Sequence, residues 1–381
     1  MRAKRAIVEE RLARSCVHSQ LRRRGLGAAA AGTALALAGC GSGNSNPPPP
    51  AVATRSWRMG FSALPPRNNL DDALRTIDLW STRADMAAIH DEPPYTELLA
   101  GTSPDVILQR DKAGLVDFYR SKGMQLMYMA DLTDGLDRGQ EAPQLRALGR
   151  SLAEPAVQQA VRGFLLAVSR ILKPDYLGLA PETNLIRLNA PSIYAAVRQT
   201  ANAAAADLRA AGTSAALFVS VQVETAWGKF NNGPFIGIDT DRADFPFMQM
   251  IGLSSYPYLA YAQPEDIPDI YYSRLQSGST PLPMMVVEGG WPSASVGNQP
   301  GQVQSSPALQ QRYVTRHAAL LDGVAARGWT QLEFTDIDPA AFPQPAPPSL
   351  ALFVTLGYVD AQFAAKPALT QWDALFARPR A

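Results

Sequence analysis

From Trp57 onward, short apolar segments rich in β-forming residues give way to amphipathic stretches, and the alternation runs eight times. The predicted strands are 57–62, 84–90, 124–131, 175–182, 215–224, 248–256, 283–290 and 329–336. Helical patterns between them include 71–80, 111–122, 154–172, 191–211 and 307–327. In the third of these, Val157, Val161, Phe164, Leu165, Val168 and Leu172 fall on one stripe at helical spacing. Gly123, Gly212 and Gly328 each follow a helical pattern, where glycine suits the left-handed turn that ends a helix. A helix between every pair of strands makes each connection a crossover, so the strands must run parallel. Eight such units within residues 57–381 predict a single α/β domain, a closed (β/α)8 TIM barrel. An open doubly wound sheet is the rival. It would call for a glycine-rich phosphate loop after the first strand, where this chain reads Met59-Gly60-Phe61-Ser62-Ala63-Leu64-Pro65.

Ahead of the barrel the sequence has a different character. Residues 1–39 hold 8 Lys/Arg and 2 Asp/Glu, out of 35 and 34 in the 381-residue chain. The remainder keeps 27 basic and 32 acidic residues, a net of −5, which argues against nucleic acid as a partner. Arg22-Arg23-Arg24 precedes an uncharged run ending Leu37-Ala38-Gly39-Cys40. Basic, apolar, then small residues is the order of an export signal, and the run is too short to span a bilayer as a helix. Its last four residues resemble the bacterial lipobox, which implies cleavage before Cys40 and lipid on its thiol. Residues 1–39 are therefore read as a leader and 40–56 as a tether, flexible at first and then stiffened by Pro47–Pro50. The barrel would occupy 57–381. With Cys16 in the leader, Cys40 is the only cysteine of the mature chain, which excludes an internal disulfide. The expected location is the bacterial cell envelope. Gly41 after the lipidated cysteine, rather than Asp, leans toward the outer membrane.

Active sites of this barrel lie at the C-terminal ends of the strands. There the sequence places His90-Asp91-Glu92, Asp131, Asp134, Glu182, Glu224, Tyr256, Glu288, Asp336 and Asp338, with Trp227, Tyr258 and Trp291 close by. A carboxylate-lined, aromatic-walled cup suits a neutral polyhydroxylated substrate, because aromatic faces stack on sugar rings and carboxylates accept hydroxyl hydrogen bonds. The chain has only 3 His, so carboxylates are also the candidate proton handlers.

Two of these segments resemble a family. Met285-Val286-Val287-Glu288-Gly289-Gly290-Trp291-Pro292 looks like the nucleophile strand of clan A glycoside hydrolases, and Leu177-Gly178-Leu179-Ala180-Pro181-Glu182 is similar to that clan's acid/base strand. Gly252-Leu253-Ser254-Ser255-Tyr256-Pro257 resembles the Gly-x-Ser-x-Tyr-Pro segment of family 53 endo-β-1,4-galactanases. Leu356-Gly357-Tyr358-Val359 and Lys366-Pro367-Ala368-Leu369 with Trp372 look like the last helix of those enzymes. The resemblance implies retaining hydrolysis of a β-linked oligo- or polysaccharide by a cofactor-free monomer. Glu288 would be the nucleophile, and Glu182 the acid/base, its pKa raised by the neighbouring charge. Tyr256 would steady Glu288, Trp227 and Trp291 would form sugar platforms, and Asp131, Glu224 and His90 would line the substrate site.

Two departures keep a second reading open. Pro181 stands where the clan has Asn, and 84–90 carries no Arg, leaving His90 in the region where one usually supports the nucleophile. These favour a barrel that binds saccharide without turning it over. A third reading, a metal-dependent hydrolase, finds no Asp-rich loop with calcium spacing.

Overall fold

The computed structural model describes residues 53–381 apart from 232, 277–279, 298–302 and 342–346. The expected leader, Cys40 and the Pro47–Pro50 run lie outside the described residues. In chain order the strands are β1 (Arg58–Ser62), β2 (Met86–Asp91), β3 (Gln125–Ala130), β4 (Thr133–Asp134), β5 (Asp137–Glu141), β6 (Tyr176–Gly178), β7 (Ala216–Phe218), β8 (Ser220–Gln222), β9 (Ile251–Ser255), β10 (Met284–Gly289) and β11 (Ala326–Gln331).

Nine of them form one sheet in the order β7-β6-β3-β2-β1-β11-β10-β9-β8, every pairing parallel. Its two ends, β7 and β8, are separated only by Val219, so they are halves of a single fifth strand. The first half pairs with β6 and the second with β9, which brings the sheet round on itself. The fold is thus the expected α/β TIM barrel. β4 and β5 form a separate antiparallel hairpin beyond β3.

Inside the barrel, Met86, Ala88, Met127, Met129, Phe218, Met250, Met285 and Val287 pack as one buried cluster. Flexible thioethers fill the irregular lumen of a closed sheet well. Outside, between strands and helices, lies an aromatic layer: Phe61 to Trp372 at 4.5 Å, His317 to Trp329 at 4.3 Å and Trp329 to Trp372 at 4.9 Å between ring centres. The helix Pro155–Ile171 turns the expected stripe inward, with Val157, Val161, Phe164, Leu165 and Val168 all buried.

Element boundaries differ most at the eighth strand. The helix Pro307–Asp322 ends earlier than expected, and β11 starts at Ala326 rather than 329. Gly328, read as a helix terminator, is a strand residue. A Cβ there would lie 2.8 Å from the Met86 Cε, so close packing in the lumen, not a turn, calls for glycine. Between β9 and β10 the described residues form only short 3-10 turns, at Pro257–Leu259, Pro264–Asp266 and Ser273–Gln276.

Candidate active site

β6 ends at Gly178, and the chain runs on through Leu179-Ala180-Pro181 to Glu182, the residue before the helix Thr183–Asn189. Glu182 has φ 47° and ψ 46°, the left-handed region that costs a non-glycine residue about 1–2 kcal/mol. Hydrogen bonds to the fifth strand hold it there. Glu182 N donates to Ser220 Oγ at 2.9 Å, and Asn184 Nδ2 donates to Gln222 O at 2.8 Å while its Oδ1 accepts from Gln222 N at 2.8 Å.

The Glu182 carboxyl is nearly buried, and both oxygens are occupied. Oε2 accepts from Arg138 Nε at 2.7 Å, and Oε1 accepts from Ser254 Oγ at 2.6 Å. Arg138 comes from β5, is itself buried, and gives Nη1 to Asp131 Oδ1 at 2.6 Å. Burial opposes the guanidinium charge, but Asp131, Glu182 and Glu288 together raise its pKa further.

Glu288 reaches the same place by a different device. The pairing of β10 with β9 jumps from Val286 opposite Leu253 to Glu288 opposite Ser254, so Val287 is an extra residue in a bulge. A bulge resets the inward–outward alternation of a strand. Val287 packs in the lumen and the next side chain also turns into the cup. Gly289 makes the turn possible, because a Cβ there would lie 2.2 Å from Ser255 O. Burial pushes the Glu288 carboxyl up to about 8, the Glu182 charge adds to this, and Arg138 and the Ser254 hydroxyl counteract it. Glu288 is thus a carboxyl of raised proton affinity, and Glu182 forms a buried ion pair with Arg138. Ser254, whose hydroxyl bonds Glu182, is also the residue opposite Glu288 in the pairing of β9 with β10.

His90, from β2, donates from Nε2 to Val287 O at 2.9 Å, since a carbonyl only accepts, and its Nδ1 stands 3.7 Å from Glu288 Oε2. Tyr256 is buried beside these groups. Burial first, then the charges of Glu288 and Glu182, raise its hydroxyl well above the usual phenol range. Asp131, His90, Glu182, Tyr256 and Glu288 are thus brought together.

Three expected residues are placed elsewhere. Glu224 has no exposed surface and accepts from Tyr271 Oη, from Gln222 Nε2, and from Tyr256 N at 3.0 Å. Burial pushes it up to about 7, against the bonds it accepts. It ties the backbone at Tyr256 to the Tyr271 hydroxyl and the Gln222 amide. Trp227 stacks on Tyr271 at 5.6 Å and donates Nε1 to Tyr271 O at 3.0 Å. Trp291 has no exposed surface; it packs against Tyr258 and Tyr313 and donates Nε1 to Ser305 Oγ at 3.0 Å. Neither indole offers an open face as a platform. A Trp at a strand end can be drawn under a covering loop, which strand position alone does not reveal.

Sequence reasoning missed Arg138, the pairing role of Ser254, and Glu333. Arg138 is four residues beyond Asp134 in a loop whose hairpin carries no strong pattern. Glu333, just after β11, is 1% exposed, and its Oε2 is buried without a hydrogen-bond partner among the described residues. Asp336 and Lys366, by contrast, are joined through Asp336 Oδ1, and Lys366 Nζ also reaches Ser293 Oγ at 2.8 Å and Gly357 O at 2.9 Å. Among the described residues no His/Cys/Asp/Glu group is arranged to hold a metal ion.

No family model matches the chain, and no curated protein matches it by sequence. Solved structures do match in three dimensions. Exo-beta-1,4-mannosidase Op5Man5 from Opitutaceae bacterium strain TAV5 aligns with a TM-score of 0.62 at 14% identity, over 85% of this chain and 59% of that one. Beta-glucuronidase 2 of Bacteroides uniformis gives 0.55 at 13% identity, over 84% and 35%. The beta-glucuronidase of Ruminococcus gnavus gives 0.53 at 11% identity, over 85% and 50%. The likeness is one of fold. This chain spans between about a third and three-fifths of those proteins' length.

Proposed function

We propose that the chain is an exported, lipid-anchored glycoside hydrolase that cleaves a β-linked saccharide with retention of configuration. One observation carries the reading: two buried carboxyls, from β10 and the turn after β6, share the C-terminal mouth of a barrel, where both act on the buried Arg138 guanidinium. The fold shared with glycoside hydrolases, and the similarity of 252–257 to family 53 galactanases, support it. In this mechanism Glu288 attacks the anomeric carbon. Glu182 protonates the leaving oxygen and then draws a proton from the water that releases the glycosyl-enzyme. Such pairs stand about 5–5.5 Å apart.

The resting site needs two adjustments before that chemistry. Glu288 must give up the proton its burial favours, and His90 Nδ1, 3.7 Å away, is placed to receive it. Glu182 must release Arg138, take up a proton from solvent and turn it toward the leaving oxygen, with Asp131 retaining the guanidinium. The same ion pair favours a second reading, a barrel that binds saccharide without hydrolysing it, because an acid tied to arginine is a poor proton donor.

The domain layout in this proposal is a leader at 1–39, Cys40 with its tether to 56, and the barrel beyond, working as a monomer at the outer membrane. Cys40→Ala should move the protein from the membrane fraction to the soluble one. The activity test is a panel of β-linked oligosaccharides given to wild type, Glu288→Gln and Glu182→Gln. Products from wild type alone, first released in the β configuration, support the hydrolase. Binding without products supports the second reading, and neither binding nor products rejects both.

A further inference from the structure

The end of the barrel opposite the candidate site is basic. Lys122 closes the helix before β3, and Lys173 stands just ahead of β6. Arg209 lies in the last turn of the helix before β7, and Arg327 is the second residue of β11. All four are exposed, and none has a carboxylate partner among the described residues. Parallel strands place their N-termini at one end, so these four cations share a face. The acids of that face are already engaged. Asp85 meets Arg55 at 2.9 Å and Arg380 at 3.5 Å, Asp175 meets Arg120 at 2.6 Å, and Asp373 meets Arg83 at 2.8 Å. That leaves Asp78, exposed near the end of the helix Leu70–Trp80, to offset the surplus.

The chain leading into the barrel joins this same end. Arg55 N donates to Pro379 O at 3.0 Å, and Ala381 N donates to Arg55 O at 3.0 Å, which pins the segment before β1 there. Ala53 is 13 positions after Cys40, a reach of at most about 45 Å at full extension. A tether of that reach keeps a barrel close to a bilayer without choosing which end faces it. Charge makes the choice, because anionic headgroups attract the basic end and repel the acidic mouth.

We propose that the N-terminal face of the barrel docks on the anionic phospholipid surface of the membrane that anchors the chain, turning the mouth away from it. So turned, the mouth meets a polysaccharide beyond the membrane rather than a glycolipid of the same leaflet. The orientation rests on the anchored reading above; the attraction of this face to anionic lipid does not. On a body of net −5 the attraction is weak once salt screens it, so Cys40→Ala still leaves the membrane fraction.

Vesicle co-sedimentation tests the face on the mature chain without lipid, residues 40–381 carrying Cys40→Ala, so that the basic leader plays no part. At about 0.02 M salt, vesicles of about one-third phosphatidylglycerol should bind it at least about tenfold better than pure phosphatidylcholine, and about 0.3 M salt should release it. Lys173→Glu/Arg327→Glu should lose at least about tenfold of that binding. Lys122→Glu/Arg209→Glu, elsewhere on the same rim, should do likewise and serves if the first pair does not fold. Lys229→Glu/Arg312→Glu makes the same charge change toward the mouth and should keep the binding. Equal binding to both lipids, or none to either, overturns the proposal and leaves the glycoside reading untouched. Equal losses in the rim and mouth variants overturn it too, by assigning the attraction to total charge. In cells, Cys40→Ala that stays in the membrane fraction removes the anchor and with it the orientation, whatever the vesicles show.

Discussion

At the strand-four corner of the mouth, Glu182 has both oxygens filled, by Arg138 Nε at 2.7 Å and Ser254 Oγ at 2.6 Å. At the strand-seven corner, Glu288 has burial on every side, the Ser254 hydroxyl, and an imidazole nitrogen 3.7 Å away. The side chain is the same, and so is its depth: 8% exposure for one, 7% for the other. What separates them is a single guanidinium delivered by the β4–β5 hairpin. That guanidinium comes from outside both of the strands that carry the two carboxyls.

The sharpest way to break the comparison is to neutralise each corner in turn. Glu288→Gln should lower turnover by about 10⁴-fold or more with binding kept, and Glu182→Gln by roughly 10²–10⁴-fold. Azide should restore turnover to the second variant and yield a β-glycosyl azide. Restoration of Glu288→Gln to that same product would exchange the roles of the two corners.

Next comes the guanidinium itself. Arg138→Ala leaves Glu182 and Asp131 as buried carboxyls without their cation, and breaking a buried pair from one side costs about 3–5 kcal/mol. Denaturant unfolding reads this directly. A loss under about 1 kcal/mol would mean that the pair is solvated like a surface bridge.

At the strand-seven corner the bulge depends on a missing side chain. Gly289→Ala would set a methyl 2.2 Å from Ser255 O, and relieving such a clash costs about 3 kcal/mol. It should reduce stability and turnover together, whereas Gly149→Ala, in open space but at φ 63°, should touch stability alone.

The smallest effect is on pH dependence. Folded Glu288, at about 8, and Glu224, at about 7, keep protons that unfolded carboxyls have lost, and Glu333 acts in the same sense. Folding stability therefore falls as pH rises through that range. Buried His317, pushed down to about 3 by desolvation, works the other way below about pH 6.5, where the unfolded chain takes up a proton the folded chain refuses. Between about pH 6.5 and 8 these carboxyls act together, and a loss of roughly a few kcal/mol is expected. Glu288→Gln should flatten the thermal-melt profile there; an unchanged slope would assign it to Glu224 and Glu333.

Much of this architecture was legible from residue spacing. The stripe from Val157 to Val168 announces a helix on a core, because burial at 3.6-residue intervals is a local property. The acidic strand ends put Asp131, Glu182 and Glu288 at one mouth as soon as the barrel is accepted. Packing decisions left no such trace. Gly328 reads the same whether it ends a helix or fits between methionines. Trp291 reads the same whether it faces a cleft or lies beneath Tyr258 and Tyr313. Glu224 looks like another rim acid until Tyr271 and Gln222 are seen to close around it.

The sequence alone determined the order of strands and crossovers, the acidic bias of the body, and which strands end in carboxyls, since periodicity and composition act over a few residues. Tertiary structure decided the rest. It split the fifth strand at Val219, bulged β10 at Val287, and brought Arg138 across 44 positions to Glu182. Contacts between distant segments depend on how closely backbones approach, and no local pattern encodes that distance.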